Sequence, residues 1–204
     1  MTKIKKELNL RFIPFICFLL ACFVFPVLQV SASSQSNLSD SANSVTVPAF
    51  EITVPVTLEY LGLAGEEHFK SNQIKAEIII IEMFSMYCPH CQREAPLVNE
   101  LYNAIEKNAA FKDKIKLIGI GAGNSCYEVD VFRKKYEVPF PLFPDKSFAI
   151  TKILKVTETP TFVGLKVKKD KDHNQFMFHV AGFENVSQFL KKIEKLSELK
   201  TEGR

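Results

Sequence analysis

An apolar run that ends at two cysteines three positions apart constrains this chain more than any other feature in it. Ile79-Ile80-Ile81-Glu82-Met83-Phe84 is rich in β-branched residues and reads as a buried strand. It leads into Cys88-Pro89-His90-Cys91, and the segment from Cys91 to about Asn108 reads as a helix, with Ala95, Val98, Leu101, Tyr102 and Ile105 at helical spacing. A thiol at a strand-to-helix turn lies near a helix N-terminus, where unpaired N–H groups and the helix dipole stabilise a thiolate. The second thiol, one turn further in, is close enough to close a small disulfide. The spacing predicts a redox pair, with Cys88 as the attacking thiol and Cys91 as the buried resolving thiol. A zinc half-site would need two more ligands, and no second Cys-X-X-Cys or His pair follows.

The chain has 204 residues, enough for one domain with a sizeable core. Its net charge of +3 comes from the first 32 residues, where Lys3, Lys5, Lys6 and Arg11 face Glu7 alone, leaving 22 basic and 22 acidic residues beyond. That balance gives no sign of nucleic acid as a partner. Of five cysteines, Cys17 and Cys22 lie in an N-terminal apolar run. Cys88, Cys91 and Cys126 remain, an odd number that implies no structural disulfide framework. Cys126, in the loop after a second strand, reads as an isolated thiol.

Residues 1–32 combine a basic start, the apolar run Phe12 to Val30 and the small-residue exit Val30-Ser31-Ala32, which predicts a signal peptide or a retained membrane anchor. Either places the folded part outside the cytoplasm, where disulfide chemistry is at home. Residues 33–44 are Ser/Asn-rich and read as a flexible linker, and residues 45–200 as the domain. Glu51 to Tyr60 alternates like a strand, Gly62 to Gly65 reads as a turn, and Glu66 to Gln73 as a loop or short helix. Ile115 to Gly121 is a second buried strand and Tyr127 to Tyr136 a helix. The next ten residues hold three prolines and cannot be helical. A short helix (Lys146 to Leu154), a hairpin (Thr161 to Val167 with Gln175 to Ala181) and a final amphipathic helix complete the chain. That helix carries Val186, Phe189, Leu190, Ile193 and Leu196 on one stripe. The order predicts an α/β fold with a central mixed sheet flanked by helices.

Glu82, Cys88-Pro89-His90-Cys91, Pro96 and Thr159-Pro160-Thr161 occur in an order that resembles the thioredoxin superfamily. The run Glu-x-Phe-Ser-x-x-Cys-Pro-His-Cys is similar to the active site of the disulfide oxidase DsbA. The βα unit between the active-site helix and the Thr-Pro turn instead resembles the insertion of TlpA/ResA-type reductases. The resemblance implies a thioredoxin-like fold with a βα insertion, a kink at Pro96, a cis-Pro160 beside Cys88, and Thr159 presenting backbone groups to a substrate peptide. It implies protein thiols or disulfides as substrates and a membrane or soluble redox partner that recycles the pair, with no cofactor and no metal. Within this frame Pro89 and His90 tune Cys88. His90 is expected to stabilise its thiolate electrostatically and by hydrogen bonding. Glu82 is a carboxyl in an apolar strand whose pKa should lie high, which makes it a candidate proton acceptor for Cys91. The leading expectation is thus an exported protein-disulfide oxidoreductase. Two alternatives are a copper-handling module using Cys88, Cys91 and a histidine, and a peroxiredoxin-like peroxidase, whose Thr-x-x-Cys site is absent.

Overall fold

The structure is a computed structural model, and it describes residues 45–53, 59–63 and 68–197. The proposed signal or anchor, with Cys17 and Cys22, and the 33–44 linker lie outside the described residues.

Twelve regular elements follow in chain order: β1 (Thr46–Pro48), β2 (Glu51–Thr53), β3 (His68–Lys70), β4 (Ile78–Phe84), α1 (Pro89–Lys107), β5 (Ile115–Ala122), α2 (Cys126–Lys135), β6 (Leu142–Asp145), α3 (Ala149–Ile153), β7 (Thr161–Lys166), β8 (His173–Val180) and α4 (Val186–Ser197). Six strands form one mixed sheet in the order β1-β8-β7-β4-β5-β6. β4 pairs in parallel with β5, and β5 with β6, while the remaining neighbours are antiparallel. β2 and β3 form a separate antiparallel pair.

β4 lies in the middle of this sheet and is buried along its whole length. Side chains alternate across a strand. Ile79, Ile81 and Met83 therefore join a core with Ile118, Ile120, Val163, Leu165 and Phe143. Ile78, Ile80 and Phe84 join the opposite core, where α1 contributes Cys91, Ala95, Val98 and Leu101, and α4 contributes Phe189 and Ile193. The same alternation puts Glu82 on the α1 side.

Several expectations need correction. Within the span Glu51 to Tyr60, expected as a strand, Glu51–Thr53 is a strand and Glu59–Leu61 opens a 3-10 turn; residues 54–58 lie outside the described residues. Glu66 to Gln73 was expected as a loop or short helix. Within it His68–Lys70 pairs with β2, because Phe69 and Ile52 bury opposite one another, and a 3-10 turn follows at Ser71–Gln73. β1 and β6 were not foreseen. Pro144 sits in β6 because that strand is at the sheet edge, where a missing N–H is tolerated. Leu196 is 45% exposed and does not belong to the buried stripe of α4. Helix α1 begins at Pro89, so Pro96 is interior to it and removes the N–H that would bond the Gln92 carbonyl.

The hairpin strands β7 and β8 pack closely within the sheet. Gly164 pairs with Ile80 on one side and Phe178 on the other, and a Cβ built on it would lie 2.1 Å from the Phe178 ring. Gly164→Ala is expected to destabilise the domain by about 1–3 kcal/mol through forced displacement of that ring. An unchanged thermal midpoint would show that the ring has room to move.

Candidate active site

The loop Ser85–Tyr87 carries the chain from β4 to Cys88. The Met86 N–H donates to Asn124 Oδ1 at 2.8 Å, and the Met86 carbonyl accepts from Gln92 Nε2 at 2.8 Å. The Cys88 N–H donates to the Ser85 carbonyl at 3.0 Å. Asn124 is buried in the loop between β5 and α2, so the neighbouring strand holds the approach to the thiols in place. Tyr87 is exposed, and its hydroxyl donates to Glu128. Glu128 also accepts from the Ser125 N–H at 2.7 Å, in the capping box of α2. Ser125 and Tyr87 as donors hold the Glu128 carboxyl down at about 2.

Cys88 is the N-cap of α1, and Pro89 occupies the first helical position, where its missing N–H costs nothing. The Cys88 sulfur accepts the Cys91 N–H at 3.2 Å, and its thiol donates to the Thr159 carbonyl at 3.2 Å. Both cysteines are free thiols; Cys88 is half-buried and Cys91 is fully buried. Burial pushes the Cys88 thiol up. Donation from the Cys91 thiol, the Thr159 side chain and the backbone N–H groups of Cys91 and His90 outweighs it, and the Cys88 pKa ends below the ordinary thiol range. Cys91 moves the opposite way. Burial, and then its bond to Cys88, hold its pKa far above that range.

His90 meets Cys88 through its backbone. Its Nδ1 accepts from the Arg93 guanidinium at 2.9 Å, and what it offers Cys88 is its backbone N–H. His90→Ala keeps that N–H. It should move the Cys88 titration by less than about half a unit, against the one or more units a charged neighbour can exert. Thiolate absorbance against pH measures this, and a rise of a full unit would restore the imidazole to the role first expected.

Glu82 is 1% exposed, and its Oε1 has no hydrogen-bond partner. Burial first, then the charges of Glu94 and Cys88, push its carboxyl up to about 8. Thr159–Pro160 is a cis peptide, and Thr161 Oγ1 donates to the Glu158 carbonyl at 2.8 Å. The structure thus brings Cys88, Cys91, Pro89, His90, Thr159 and Pro160 together at one end of the sheet, with Glu82 beneath them. Cys126 is exposed at the start of α2 and makes no disulfide.

Sequence reasoning missed Glu94. It stands three residues after Cys91, half-buried, and accepts the Phe183 N–H at 2.9 Å, tying the turn after β8 to the active-site helix. Burial raises its pKa. Gly182, at φ +75°, passes so close that a Cβ there would lie 3.2 Å from the Glu94 carboxylate. With His90, Arg93, Glu158 and Pro160 these residues border a groove of about 460 Å³ beside the thiols. No sequence signal marks Glu94, since its partner Phe183 lies 89 residues away. Among the described residues no group of three or more His, Cys, Asp or Glu side chains converges as metal ligands would.

Residues 44–177 match the AhpC/TSA family model. The thiol-disulfide oxidoreductase ResA of Bacillus thuringiensis subsp. konkukian is 28% identical over 123 residues, which span 60% of this chain and 66% of that protein, just under two thirds of its length. ResA of Geobacillus kaustophilus is 22% identical over 149 residues, 73% of this chain and 76% of that one. A putative thiol:disulfide interchange protein DsbE from Chlorobium tepidum superimposes with a TM-score of 0.57 at 11% identity, covering 76% of this chain and 96% of that chain. The fold is thioredoxin-like, on a ResA-like scaffold.

Proposed function

This chain belongs to the AhpC/TSA family, and from that membership and the thiol geometry we propose that it is an exported thiol-disulfide oxidoreductase acting on proteins. The observation that carries the reading is the pairing of a low-pKa thiol at a helix N-cap with a buried, high-pKa thiol hydrogen-bonded to it. A metal-holding pair has no reason for that asymmetry, whereas exchange needs it.

In the reducing direction the Cys88 thiolate attacks one sulfur of a substrate disulfide, and the other sulfur leaves as a thiolate. The product is a mixed disulfide through Cys88. Cys91 gives its proton to the Glu82 carboxylate and attacks the Cys88 sulfur, which releases the second substrate thiolate. The substrate gains two electrons and the Cys88–Cys91 pair loses two. A membrane or soluble partner returns them. The oxidising direction runs the same steps backwards. Thr159 offers its backbone to the substrate strand, and Pro89 fixes the first turn that orients the thiols. Stabilising the Cys88 thiolate favours the reduced pair, so the reduction potential should lie above that of thioredoxin.

Residues 1–32 act as the signal peptide or the anchor, 33–44 as a linker and 45–200 as the redox domain, which places the thiols outside the cytoplasm. Equilibrating the purified protein in glutathione buffers, with alkylation and mass spectrometry, tests the core of the reading. A single two-electron transition confined to Cys88 and Cys91 is expected. Absence of that disulfide at every poise would sink the proposal. A fusion of residues 1–44 to a reporter active only after export tests the compartment separately.

A further inference from the structure

Five lysines gather at the end of the sheet opposite Cys88. Lys75, Lys166, Lys168, Lys169 and Lys171 border a concave surface of about 650 Å³, where β4 begins and β7 ends. Glu77, Asp113 and Asp170 share it. Lys114 adjoins it, since its carbonyl accepts the Glu77 N–H at 2.8 Å. Among the described residues none of the five lysines is in an ion pair, and the nearby pair Lys70–Asp172 (3.5 Å) is neutral. Residues 33–204 carry no net charge, so this surplus is local to one pole.

We propose that this lysine-rich pole docks on anionic phospholipid headgroups and holds the thiols away from the bilayer, facing soluble protein substrates. Three observations select a lipid surface. The pole has no arginine, the residue suited to forked recognition of a fixed phosphate or carboxylate, so the charge presents a diffuse field rather than a built anion site. Lysine is also depleted at protein–protein interfaces, whereas clustered lysines are attracted to anionic membranes. The chain outside the described residues supplies proximity. The apolar run ends at Val30, and residues 31–44 span at most about 50 Å when fully extended. β1 ends beside the lysine turn, where the Ala49 N–H donates to the Asp172 carbonyl at 2.9 Å, and its first residue, Thr46, pairs with Gln175 a few residues beyond that turn. β4 climbs from the pole toward Cys88 over roughly 20 Å at about 3.3 Å per residue. A docked domain therefore presents its redox pair to the aqueous side. The inference rests on the proposed export, through the nearness of a bilayer.

The test uses the full chain with vesicles of phosphatidylcholine alone or with one third phosphatidylglycerol. Flotation with the neutral vesicles reports the apolar run by itself. Acetylation of lysines by a water-soluble ester, read by mass spectrometry, reports the pole. Labelling of Lys168, Lys169 and Lys171 should fall several-fold on the anionic vesicles and recover in 0.5 M salt, while Lys191 and Lys192 on α4 stay unchanged. Reversing the three turn lysines (K168E, K169E, K171E) should abolish the protection of Lys75 and Lys166, at roughly a fivefold loss of binding per lysine. These positions are exposed or half-buried in a turn, and an unchanged thermal midpoint checks the fold. Flotation on neutral vesicles with equal labelling on both compositions would overturn the docking surface and leave the anchor standing. Salt-sensitive flotation on anionic vesicles alone would support the pole and remove the anchor. Protection by polyglutamate but not by anionic vesicles would make the pole a protein-binding surface and overturn the proposal.

Discussion

Cys88→Ser reduces disulfide exchange to the uncatalysed background, and Cys91→Ser leaves a protein that stalls in mixed disulfides through Cys88. The asymmetry follows from the two environments. Cys88 is partly accessible, and four donors stabilise its thiolate, the form that attacks. A serine hydroxyl has no comparable anion near neutral pH. Cys91 is fully buried, so no substrate reaches it directly, and on the proposed mechanism its place is to resolve what Cys88 has formed. Without it the mixed disulfide has no intramolecular exit. Non-reducing electrophoresis of the two variants, mixed with an oxidised protein substrate, separates these outcomes. Cys126→Ser should exchange at the rate of the parent. If Cys126→Ser is as impaired as Cys88→Ser, a two-thiol mechanism is wrong.

Glu82→Gln should abolish a pH dependence of stability that the parent shows between about pH 4.5 and 8. A free carboxyl titrates near 4.5, and burial in the folded domain raises this one to about 8. The folded state keeps a proton that the unfolded chain releases. The stabilising contribution is therefore complete below 4.5 and is lost as pH rises toward 8, at about 1.4 kcal/mol per unit. The loss amounts to something on the order of 4–5 kcal/mol across the window. Denaturant melts of parent and Glu82→Gln at pH 5 and pH 8 read it directly. The same proton governs turnover with the opposite sense. Only the ionised carboxylate can take the Cys91 proton, so the resolving step should accelerate up to about pH 8 in the parent. In Glu82→Gln that rise should be missing. Parallel stability curves for the two proteins would mean that the carboxyl is hydrated and ionises normally.

The parts of this molecule that announce themselves in sequence are those whose burial is one-sided or complete. β4 and β5 read as strands because both faces are covered, and that demands unbroken apolar runs. α1 reads as a helix because only one face is covered. β1, β3 and β6 escape because each is short and owes its extended form to a neighbour rather than to its own composition. In β6 the one proline, Pro144, which argues against a helix, is compatible with an edge strand. At the site, the thiol spacing and Glu82 were legible because a carboxyl in an apolar strand is anomalous by itself. Glu94 was not, because a glutamate on a helix ordinarily faces water, and its partner Phe183 lies 89 residues away. His90 makes contacts that its residue type alone does not reveal. Its residue type suggested a side-chain contact, but Arg93 one turn on takes the imidazole, and the backbone faces the sulfur.

The bond from the Cys88 thiol to the Thr159 carbonyl makes the reduced molecule a competitor of its own ligand. While Cys88 keeps its proton, one of the two acceptor positions of the Thr159 carbonyl, the group proposed to meet a substrate strand, is already taken. Once the sulfur is bound to Cys91 it has no hydrogen to give, and the acceptor falls vacant. Affinity for an extended chain is then coupled to oxidation state. On the proposed role, the oxidised form should retain chains more tightly, and the reduced form should release them when its protonated thiol reclaims the carbonyl. In the oxidising direction this clears each reduced enzyme of its product; in the reducing direction it slows departure. On the proposed role, the same contact would favour release of the partner after a disulfide has been donated.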